Sequence, residues 1–472
     1  MAYPALATLL PNVQPLKTEK SNRLSVAERR TAFWLASVFS LRMLGLFMIL
    51  PVFALYAENL HGHTPALAGL AIGIYGFSQA LLQIPFGLLS DRYGRKRMIY
   101  LGLLIFALGS GVAALADSIW GVILGRALQG GGAVSAAVMA LAADLTREEH
   151  RLRVMATIGV TIGVSFAVSM ILGPVLNGWI GVPGIFWLTG LLALGSIAVV
   201  RWQVPDPLES RIHCDAEPVA AQLGRVLGDR QLLRLNFGIF ILHLLLTATF
   251  VAVPLALRDA GLPSDRHWQA YLPVLVFSMA AIVPFVILAE KGRRLKPVFL
   301  GAILTLALTE LGLLVWHDTV LKTLLLLLGF FTAFNLLEAT LPSLIAKVAP
   351  PDAKGTAMGV YSSSQFLGAF AGGALGGGLR GQLGLQGVFA FAALAALAWL
   401  LVAWRMENPR YLSSYLLPVG VRDEAKAHLL AQQLCEVPGV AEAVVIAADG
   451  VAYLKVDRRA LDEAALRALA VA

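Results

Sequence analysis

A short basic stretch between two long apolar runs constrains the fold of this chain more than any other feature. The apolar runs cover residues 67–89 and 98–116, and each is long enough to cross a hydrocarbon core of roughly 30 Å as a helix. Residues 87–97 join them and contain one Asp and four Arg or Lys residues. A connection with this charge is excluded from lipid, and its positive sign places it on the cytoplasmic side of a membrane.

The composition indicates a polytopic membrane protein. Of the 472 residues, 58% are hydrophobic and 14% are charged, whereas soluble domains carry about 25% charged residues. Basic loops account for the net charge of +8, so no nucleic-acid partner is expected. Cys214 and Cys435 both fall in segments predicted to be cytoplasmic, so neither a disulfide nor a metal cluster is expected. No cleavable signal peptide is evident.

Twelve apolar segments have the length of membrane spans. They cover residues 31–57, 66–90, 97–116, 119–145, 154–176, 184–203, 233–257, 268–289, 297–315, 320–346, 355–378 and 384–404. An even number of spans places both termini on one side. The connections on that side hold 25 Lys and Arg residues and the opposite connections hold four, which predicts that both termini are cytoplasmic.

The spans divide the chain into two halves with three extramembrane segments. We expect a cytoplasmic N-terminal segment 1–30, a first six-helix bundle 31–203, a linker 204–232 and a second six-helix bundle 233–405. The linker contains a possible amphipathic helix at 219–233. After residue 404 the composition shifts, and residues 411–472 are predicted to form a small cytoplasmic domain.

The predicted C-terminal domain has the element order βαββα. Its strands are expected at 415–419, 441–447 and 451–456 and its helices at 423–435 and 462–469, with Asp449-Gly450 as a hairpin turn between the last two strands. This order resembles a ferredoxin-like α+β module. Modules of this kind in metal transporters carry a Cys-x-x-Cys motif, which is absent here, so delivery of copper or zinc is not expected.

The basic stretch resembles the signature loop of the major facilitator superfamily. The motif is Gly-x-x-x-Asp-Arg-x-Gly-Arg-Lys, with Asp91, Arg92, Gly94 and Arg95 in it, and a degenerate copy occurs at 290–294. The resemblance implies an all-α polytopic fold of twelve transmembrane helices in two six-helix bundles. It also implies a proton-driven transporter of the drug:proton antiporter branch in the bacterial inner membrane, working as a monomer, with no cofactor besides the proton gradient and no enzymatic activity.

The resemblance assigns a role to three charged residues at the cytoplasmic side. Asp91 and Arg95 lie in the signature loop, and Asp144 ends the fourth span. Two carboxylates around one guanidinium form a strong hydrogen-bonded cluster. The functional interpretation is an inside latch that holds the outward-open state, with the start of span eleven after residues 350–352 directing its positive dipole end at Asp91. The alternative is a role in topology and packing alone.

Spans four and five carry two further motifs of the superfamily. Arg126 stands in the pattern Arg-x-x-x-Gly, which the resemblance associates with proton coupling; the alternative is an Arg that extends to the outer interface. Span five has the residues of an antiporter motif with close helix packing, although Asn177 replaces one of its glycines. The alternative for span five is ordinary packing of small residues. The motif residues are Gly163, Gly173, Pro174 and Gly178.

Few titratable groups lie deep in the predicted spans. Glu338 in span ten and His243 in span seven are each nine residues from a basic residue at the cytoplasmic boundary, so both are expected at about 13 Å depth. We predict a proton site at Glu338 with His243 beside it and Arg42 as counter-charge from the other half. The alternative for Glu338 is a capped structural carboxyl. Glu310 is expected nearer the outer surface.

These features predict proton-driven export of a small amphipathic or apolar compound by alternating access. Membrane lipid, protons and the small-molecule substrate are the expected partners. Two other functions stay open at this point. One is proton-coupled uptake of a small polar solute such as a sugar, for which Gln79, Gln83, Asn335 and Gln365 supply polar groups. The other is a membrane sensor that binds its ligand through the C-terminal domain.

Overall fold

The chain forms a bundle of long apolar helices followed by a small mixed domain. The structure is a computed structural model that describes residues 24–207, 220–290, 292–350, 353–407, 413–419, 423–447, 450–457 and 460–471. Predictions that concern residues 1–23, Cys214, Lys291, Asp449 and the pair 351–352 fall outside the described residues.

Helices make up almost all of the described chain. In order they are α1 (Val26–Phe47), α2 (Leu50–Tyr56), α3 (Pro65–Tyr93), α4 (Arg95–Ala114), α5 (Ile119–Gly131), α6 (Ser135–Asp144), α7 (Glu148–Gln203), α8 (Leu223–Gly228), α9 (Arg230–Asp259), α10 (His267–Glu290), α11 (Leu295–Val315), α12 (Val320–Val348), α13 (Lys354–Trp404), α14 (Glu424–Glu436) and α15 (Glu463–Val471).

The helices provide twelve membrane crossings. Among the described residues, ten helical ranges are long and apolar enough to span a membrane, and two of these are 51 residues long. Each long range contains one glycine with non-helical backbone, Gly181 (φ 67) in α7 and Gly384 (φ 70) in α13. Glycine is the residue that adopts positive φ without steric cost. The two glycines therefore divide α7 into spans five and six and α13 into spans eleven and twelve, which confirms the predicted fold.

Spans one and four differ from prediction because each consists of two helices. Pro51 has no amide hydrogen to donate to the carbonyl of Phe47, so span one breaks at residues 48–49 between α1 and α2. Span four breaks between α5 and α6 at Gly132. A Cβ at Gly132 would lie 2.3 Å from the carbonyl oxygen of Gly102 in α4. Only glycine at position 132 therefore allows span four to pack this closely against α4. The predicted continuous span 119–145 is corrected accordingly.

The two ends of the bundle are called the basic face and the far face. The basic face is the end at which Arg95 begins α4 and Lys347 lies in the last turn of α12. The far face is the opposite end, where Glu58, Arg258 and Arg380 lie.

The two halves pack together most closely through glycines of α3 and the first part of α13. A Cβ at Gly69 would lie 2.2 Å from the carbonyl oxygen of Gly373, and a Cβ at Gly73 would lie 2.6 Å from that of Phe370. The backbones of spans two and eleven are therefore in direct contact in the far-face part of the bundle. Phe166 of span five adds an aromatic contact, with ring centroids 5.9 Å from those of Phe331 and Phe334 of α12.

The C-terminal residues form a separate small domain. Its strands are β1 (Ser413–Pro418), β2 (Val440–Ile446) and β3 (Val451–Val456), which pair antiparallel in the order β1-β3-β2. The element order βαββα agrees with the prediction, with β1 beginning two residues earlier; the ferredoxin-like assignment and the domain limits stay predictions. Lys455 donates to the carbonyl of Val348 at 3.3 Å, so the domain contacts the basic-face end of α12. The predicted amphipathic segment 219–233 contains the helix α8, which is six residues long.

Candidate functional site

A small cavity lies between the two halves near the middle of the bundle. Its volume is about 90 Å³, whereas ligand pockets typically measure roughly 300–1,000 Å³. The structure therefore represents a state that is closed around the centre, and a bulky ligand requires the halves to move apart. Residues of both halves line the cavity, among them Phe39, Phe47, Tyr75, Gln83, Arg126, Ser135 and Ile162 from the first half and His243, Leu246, Gln365 and Phe366 from the second.

The structure brings Glu338 and His243 together and adds Gln365. One side-chain amide, Nε2 of Gln365, donates to Oε1 of Glu338 at 3.3 Å and lies 2.8 Å from Nε2 of His243. His243 Nε2 is 3.9 Å from Glu338 Oε2. Because the amide nitrogen can only donate, Nε2 of His243 is the acceptor in this contact. The side chain of Glu338 is 29% exposed, although its Oε2 is buried and has no hydrogen-bond partner among the described residues.

Gln365 was not predicted as a site residue. The sequence placed it only among the polar groups that favour uptake of a polar solute. The signal for it was available. Gln365 ends the polar run Ser362-Ser363-Ser364-Gln365 of span eleven and is the largest side chain of that run.

Arg42 does not take the predicted place opposite Glu338. It donates to Ser135 Oγ at 2.8 Å and to Gln79 Oε1. Both partners belong to the same half as Arg42, in α6 and α3. Among the described contacts, Arg42 thus joins spans one, two and four, and the expected charge pair across the two halves is not formed in this state.

Arg126 is buried, so the alternative of an Arg that extends to the outer interface is wrong. Its residue exposure is 1%. It donates to Gln129 Oε1 at 3.0 Å and more weakly to the carbonyls of Ala71 and Ile72, both at 3.4 Å. Its guanidinium also lies 5.0 Å from the ring centroid of Tyr75, within the range of a cation–π contact. Arg126 therefore fixes α5 against α3 beside the cavity.

At the basic face the structure assembles the three residues of the predicted latch. Arg95 pairs with Asp91 one turn before it and donates to Asp144 Oδ2 at 3.2 Å and to Ser90 Oγ at 2.9 Å. The side chains of Arg95 and Asp144 are at most 1% exposed. Gly94 (φ 97) makes the turn between α3 and α4 that permits this arrangement. Arg92 points away from the cluster, with its guanidinium 5.6 Å from the Tyr93 ring centroid.

Lys96, the next residue of the signature loop, binds the start of the linker. Lys96 Nζ lies 2.9 Å from Asp206 Oδ1 and donates to the carbonyl of Val204 at 2.6 Å. The hydrogen bond and charge of Lys96 lower the pKa of Asp206 below its ordinary value. The signature loop thus contacts the chain just after span six.

Span five packs against span one through only part of the predicted motif. A Cβ at Gly173 would lie 2.5 Å from the carbonyl oxygen of Met48, and Ser165 is 2.6 Å from Ser40. At Gly163 and Gly178, by contrast, an added Cβ would meet no atom within 4 Å. The expectation that these two glycines mediate close packing is therefore wrong for this state, whereas Gly173 and the adjoining Pro174 are buried.

Glu310 is fully buried in the second half. Its residue exposure is 0%, and its Oε1 accepts a hydrogen bond of 2.7 Å from Thr249 in α9. It lies five residues before the end of α11 at Val315, towards the far face as expected, and it packs against α9 there. Glu310 is not among the residues that line the cavity.

An ion cluster on the far face joins the halves and was not foreseen. Glu58 of the first half pairs with Arg258 at 2.6 Å and Arg380 at 2.8 Å, both in the second half. The residues are 200 or more positions apart in sequence, so no local pattern indicates their contact. The cluster favours the state in which the far face is closed.

The substitution Glu58→Gln is expected to open the far face more often. Partly exposed ion pairs contribute up to about 1 kcal/mol each, so we expect a roughly fivefold rise in the open population. The measurement is the rate at which a membrane-impermeant thiol reagent modifies Ile72→Cys in the cavity, with Cys214 and Cys435 replaced by Ser. Asp318→Asn, which disrupts the pair of Asp318 with Lys322 inside one half, is the control; equal rates in both variants would contradict the assignment.

Comparison with known proteins decides the family. The model of the Major Facilitator Superfamily matches residues 35–319 and 235–416. The chain belongs to the major facilitator superfamily. Inner membrane transport protein YajR of Escherichia coli K12 is 46% identical over 440 residues, which cover 93% of this chain and 96% of that protein. Multidrug resistance protein MdtH of Yersinia enterocolitica is 28% identical, covering 78% and 93%.

Solved structures of the superfamily share the fold. A bacterial homologue of the human lysosomal transporter Spinster, in an inward-facing and occupied conformation, has a TM-score of 0.68 at 12% identity and covers 82% of this chain and 98% of its own. The human organic anion transporter MFSD10 has a TM-score of 0.60 at 19% identity, covering 80% and 100%. This protein is thus a transporter of the superfamily and not an enzyme, and a multi-pass protein of the inner membrane.

Proposed function

We propose that this transporter exports a small amphipathic compound in exchange for protons by alternating access. The observation that carries the proposal is the cluster of Glu338, His243 and Gln365 at the central cavity. It contains an acid held in a largely apolar site, and both other members line the space between the halves. A carboxyl group in such a site is costly when ionised, so its occupancy by a proton and the arrangement of the halves influence each other.

Gln365 gives the cluster a defined response to protonation. Its amide is shared between the carboxylate and the imidazole. When Glu338 takes a proton on Oε2, which has no hydrogen-bond partner among the described residues, its charge disappears and the new O–H donor favours a rearrangement of the hydrogen bonds among the three side chains. Because the three residues lie on spans ten, seven and eleven, this rearrangement acts on three helices of one half.

The contacts between the halves support a state that is closed at the far face. The glycine contacts of α3 with α13 and the ion cluster at Glu58 lie there. The concentration of basic residues at the other face supports a cytoplasmic location for that face and for both termini. The Arg95 cluster would then be the cytoplasmic latch, strengthening its contacts when that face closes.

Two observations favour export of an apolar or amphipathic compound over uptake of a sugar. Apolar side chains form most of the cavity wall, including Phe39, Leu46 and Phe366. Relatives named for multidrug resistance align over most of both chains.

The first test is proton flux in proteoliposomes with an imposed inward proton gradient and a panel of dyes and drugs. We expect compound-dependent loss of the gradient in the wild type and none in Glu338→Gln. Glu310→Gln is the matched control, because Glu310 is a buried acid of the same half that is hydrogen-bonded to Thr249 outside the cavity lining, whereas Glu338 is hydrogen-bonded to the lining residue Gln365. Flux that survives Glu338→Gln would move the proton site elsewhere.

A second measurement needs no substrate. Dicyclohexylcarbodiimide modifies protonated carboxyl groups in apolar sites, and mass spectrometry locates the adduct. We expect modification of Glu338, which is partly exposed, and little at Glu310, which is fully buried. Exclusive modification of Glu310 would contradict the assignment.

A further inference from the structure

We propose that the proton leaves Glu338 for the basic face along a chain of water molecules inside the second half, held in place by Asn236 and Tyr361. The proposal rests on the proposed function and deepens it, since it names the route of the coupled proton. Neither Asn236 nor Tyr361 is among the residues that line the cavity between the halves. The route of the proton is therefore separate from the space that the substrate occupies.

Asn236 of α9 is a buried amide whose two polar atoms have no protein partner. Its residue exposure is 5%, and neither Oδ1 nor Nδ2 has a hydrogen-bond partner among the described residues. A side-chain amide offers one acceptor oxygen and two N–H donors. Buried polar groups that lack a protein partner are bound by ordered water, which typically makes about three hydrogen bonds. The chemistry of Asn236 thus indicates water at its side chain.

Two further atoms of the same kind belong to Tyr361 and Glu338. Tyr361 is 3% exposed, and both its hydroxyl and Oε2 of Glu338 are buried without a hydrogen-bond partner among the described residues. The two groups are close enough to interact electrostatically. Oε2 is the carboxylate oxygen that Gln365 does not bind, since the amide donates to Oε1. The oxygen that is available to a proton is therefore the one without a protein partner.

Asn236 and Tyr361 lie on the helical faces that carry the central cluster. Asn236 is seven residues before His243, and Tyr361 is four residues before Gln365. Residues at these spacings share one face of a helix. The two helices, α9 and α13, are in backbone contact, since a Cβ at Gly368 would lie 2.0 Å from a carbonyl oxygen of α9. The groups without partners thus continue the cluster along the contact between spans seven and eleven.

The depths of these groups lead from the centre towards the basic face. Helices α9 and α13 begin at that face and α12 ends there. At about 1.5 Å per residue, Asn236 and Tyr361 lie roughly 10 Å from these helix ends and Glu338 roughly 15 Å. Nearer the face, the buried Thr356 donates to Gln222 of the linker at 3.2 Å. Gln222 is partly exposed, so polar groups continue from Glu338 to the protein surface.

The transfer requires no ionisation of Asn236 or Tyr361. The proton leaves Oε2 of Glu338, which becomes a carboxylate, and joins a neighbouring water to form an oxonium ion. Hydrogen bonds between the waters then pass the proton on to the basic face. Asn236 and Tyr361 are positioning residues, which hold the waters in line. Polar groups deep in a membrane bundle are costly and mark such proton and ion pathways.

The first test locates the water by X-ray hydroxyl-radical footprinting of the full-length protein in lipid nanodiscs, with mass spectrometry of the oxidised residues. Radicals formed from bound water oxidise the side chain beside it, even where bulk water has no access. We expect oxidation of Tyr361 to exceed that of Phe330 many-fold, because Phe330 is a fully buried aromatic residue of span ten. Equal protection of the two residues would overturn the proposal.

A pair of variants then tests whether Asn236 holds the water. Asn236→Leu replaces the amide with an apolar side chain of similar size, and we expect oxidation of Tyr361 to fall several-fold. Thr332→Val is the control, because the Thr332 hydroxyl donates to a carbonyl of its own helix at 2.7 Å; oxidation of Tyr361 should not change. The thermal midpoint of Asn236→Leu should not fall, since no protein hydrogen bond is lost. Unchanged oxidation of Tyr361 in Asn236→Leu would contradict the assignment.

Proton flux in proteoliposomes tests the route itself. For compounds found active in that assay, we expect roughly tenfold lower turnover in Asn236→Leu and in Tyr361→Phe. The compound concentration at half-maximal flux should stay unchanged, because neither residue lines the cavity. Asn236→Ser keeps a hydrogen-bonding group and leaves room for water, so it should restore most of the flux. Wild-type turnover in Asn236→Leu would overturn the route. Footprinting does not depend on transport, so failure of the proposed function leaves the location of the water interpretable.

Discussion

Replacement of Gly377 by valine is expected to hold the far face open and to stop turnover. A Cβ at Gly377 would lie 2.6 Å from the carbonyl oxygen of Pro65 and 2.7 Å from Cα of Gly69. Both are backbone atoms, which cannot move aside as a flexible side chain does. Overpacking typically costs about 1–3 kcal/mol and more where no relaxation is possible, so the closed population should fall by roughly a hundredfold. Alternating access requires that state, so transport stops.

The neighbouring residue provides a matched control. An added Cβ at Gly378 meets nothing within 4 Å, so Gly378→Val introduces the same side chain in the same helix without the contact. We expect far-side modification of Ile72→Cys to accelerate strongly in Gly377→Val and to stay at the wild-type rate in Gly378→Val. Size-exclusion profiles of both proteins exclude misfolding as the cause. If Gly377→Val transports normally, the close contact of spans two and eleven is not part of the cycle.

Arg95→Met is expected to destabilise the first half strongly. The Arg95 and Asp144 side chains are buried and hydrogen-bonded to each other. Removal of one partner from a buried ion pair costs roughly 3–5 kcal/mol, because the remaining charge loses its counter-charge while it stays out of water. We expect a clearly lower thermal midpoint of the purified protein in detergent, and faster loss of structure at the temperature at which the wild type is stable.

Two further variants separate the ion pair from the general effect of losing an arginine. Arg97→Met changes an exposed arginine two residues further along α4 and should alter stability by no more than about 0.5 kcal/mol. The double variant Arg95→Met with Asp144→Asn should be more stable than Arg95→Met alone, since it removes the buried carboxylate as well. Strictly additive losses would show that the two residues do not act as a pair.

The fold could be predicted from sequence because its main determinants are local. A run of about twenty apolar residues specifies a membrane helix by its own length, and the boundaries of most spans agree with the structure within a few residues. The Asp91, Arg95 and Asp144 cluster was likewise recognised through a short motif. The breaks in spans one and four also have local causes, since Pro51 and Gly132 interrupt spans that hydropathy alone shows as continuous.

The partners of deep polar residues could not be predicted because they depend on how helices far apart in sequence rotate and pack. Depth along the membrane is readable from sequence, which is why Glu338 and His243 were paired correctly. Rotation is not readable, and so Arg42 was placed against Glu338, whereas it bonds to Gln79 and Ser135. For the same reason the hydrogen bond that Glu310 accepts from Thr249 on another helix was not predicted.

The sequence by itself determined a twelve-span transporter with a basic face, a C-terminal βαββα segment and the identity of its few intramembrane charges. Hydrophobic length and loop charge set these properties independently of any contact between helices. Only the tertiary structure decided that Gln365 joins Glu338 to His243 and that glycines of spans two and eleven touch. These features depend on the approach of helices that are far apart in sequence, and that approach is fixed by packing that no local pattern records.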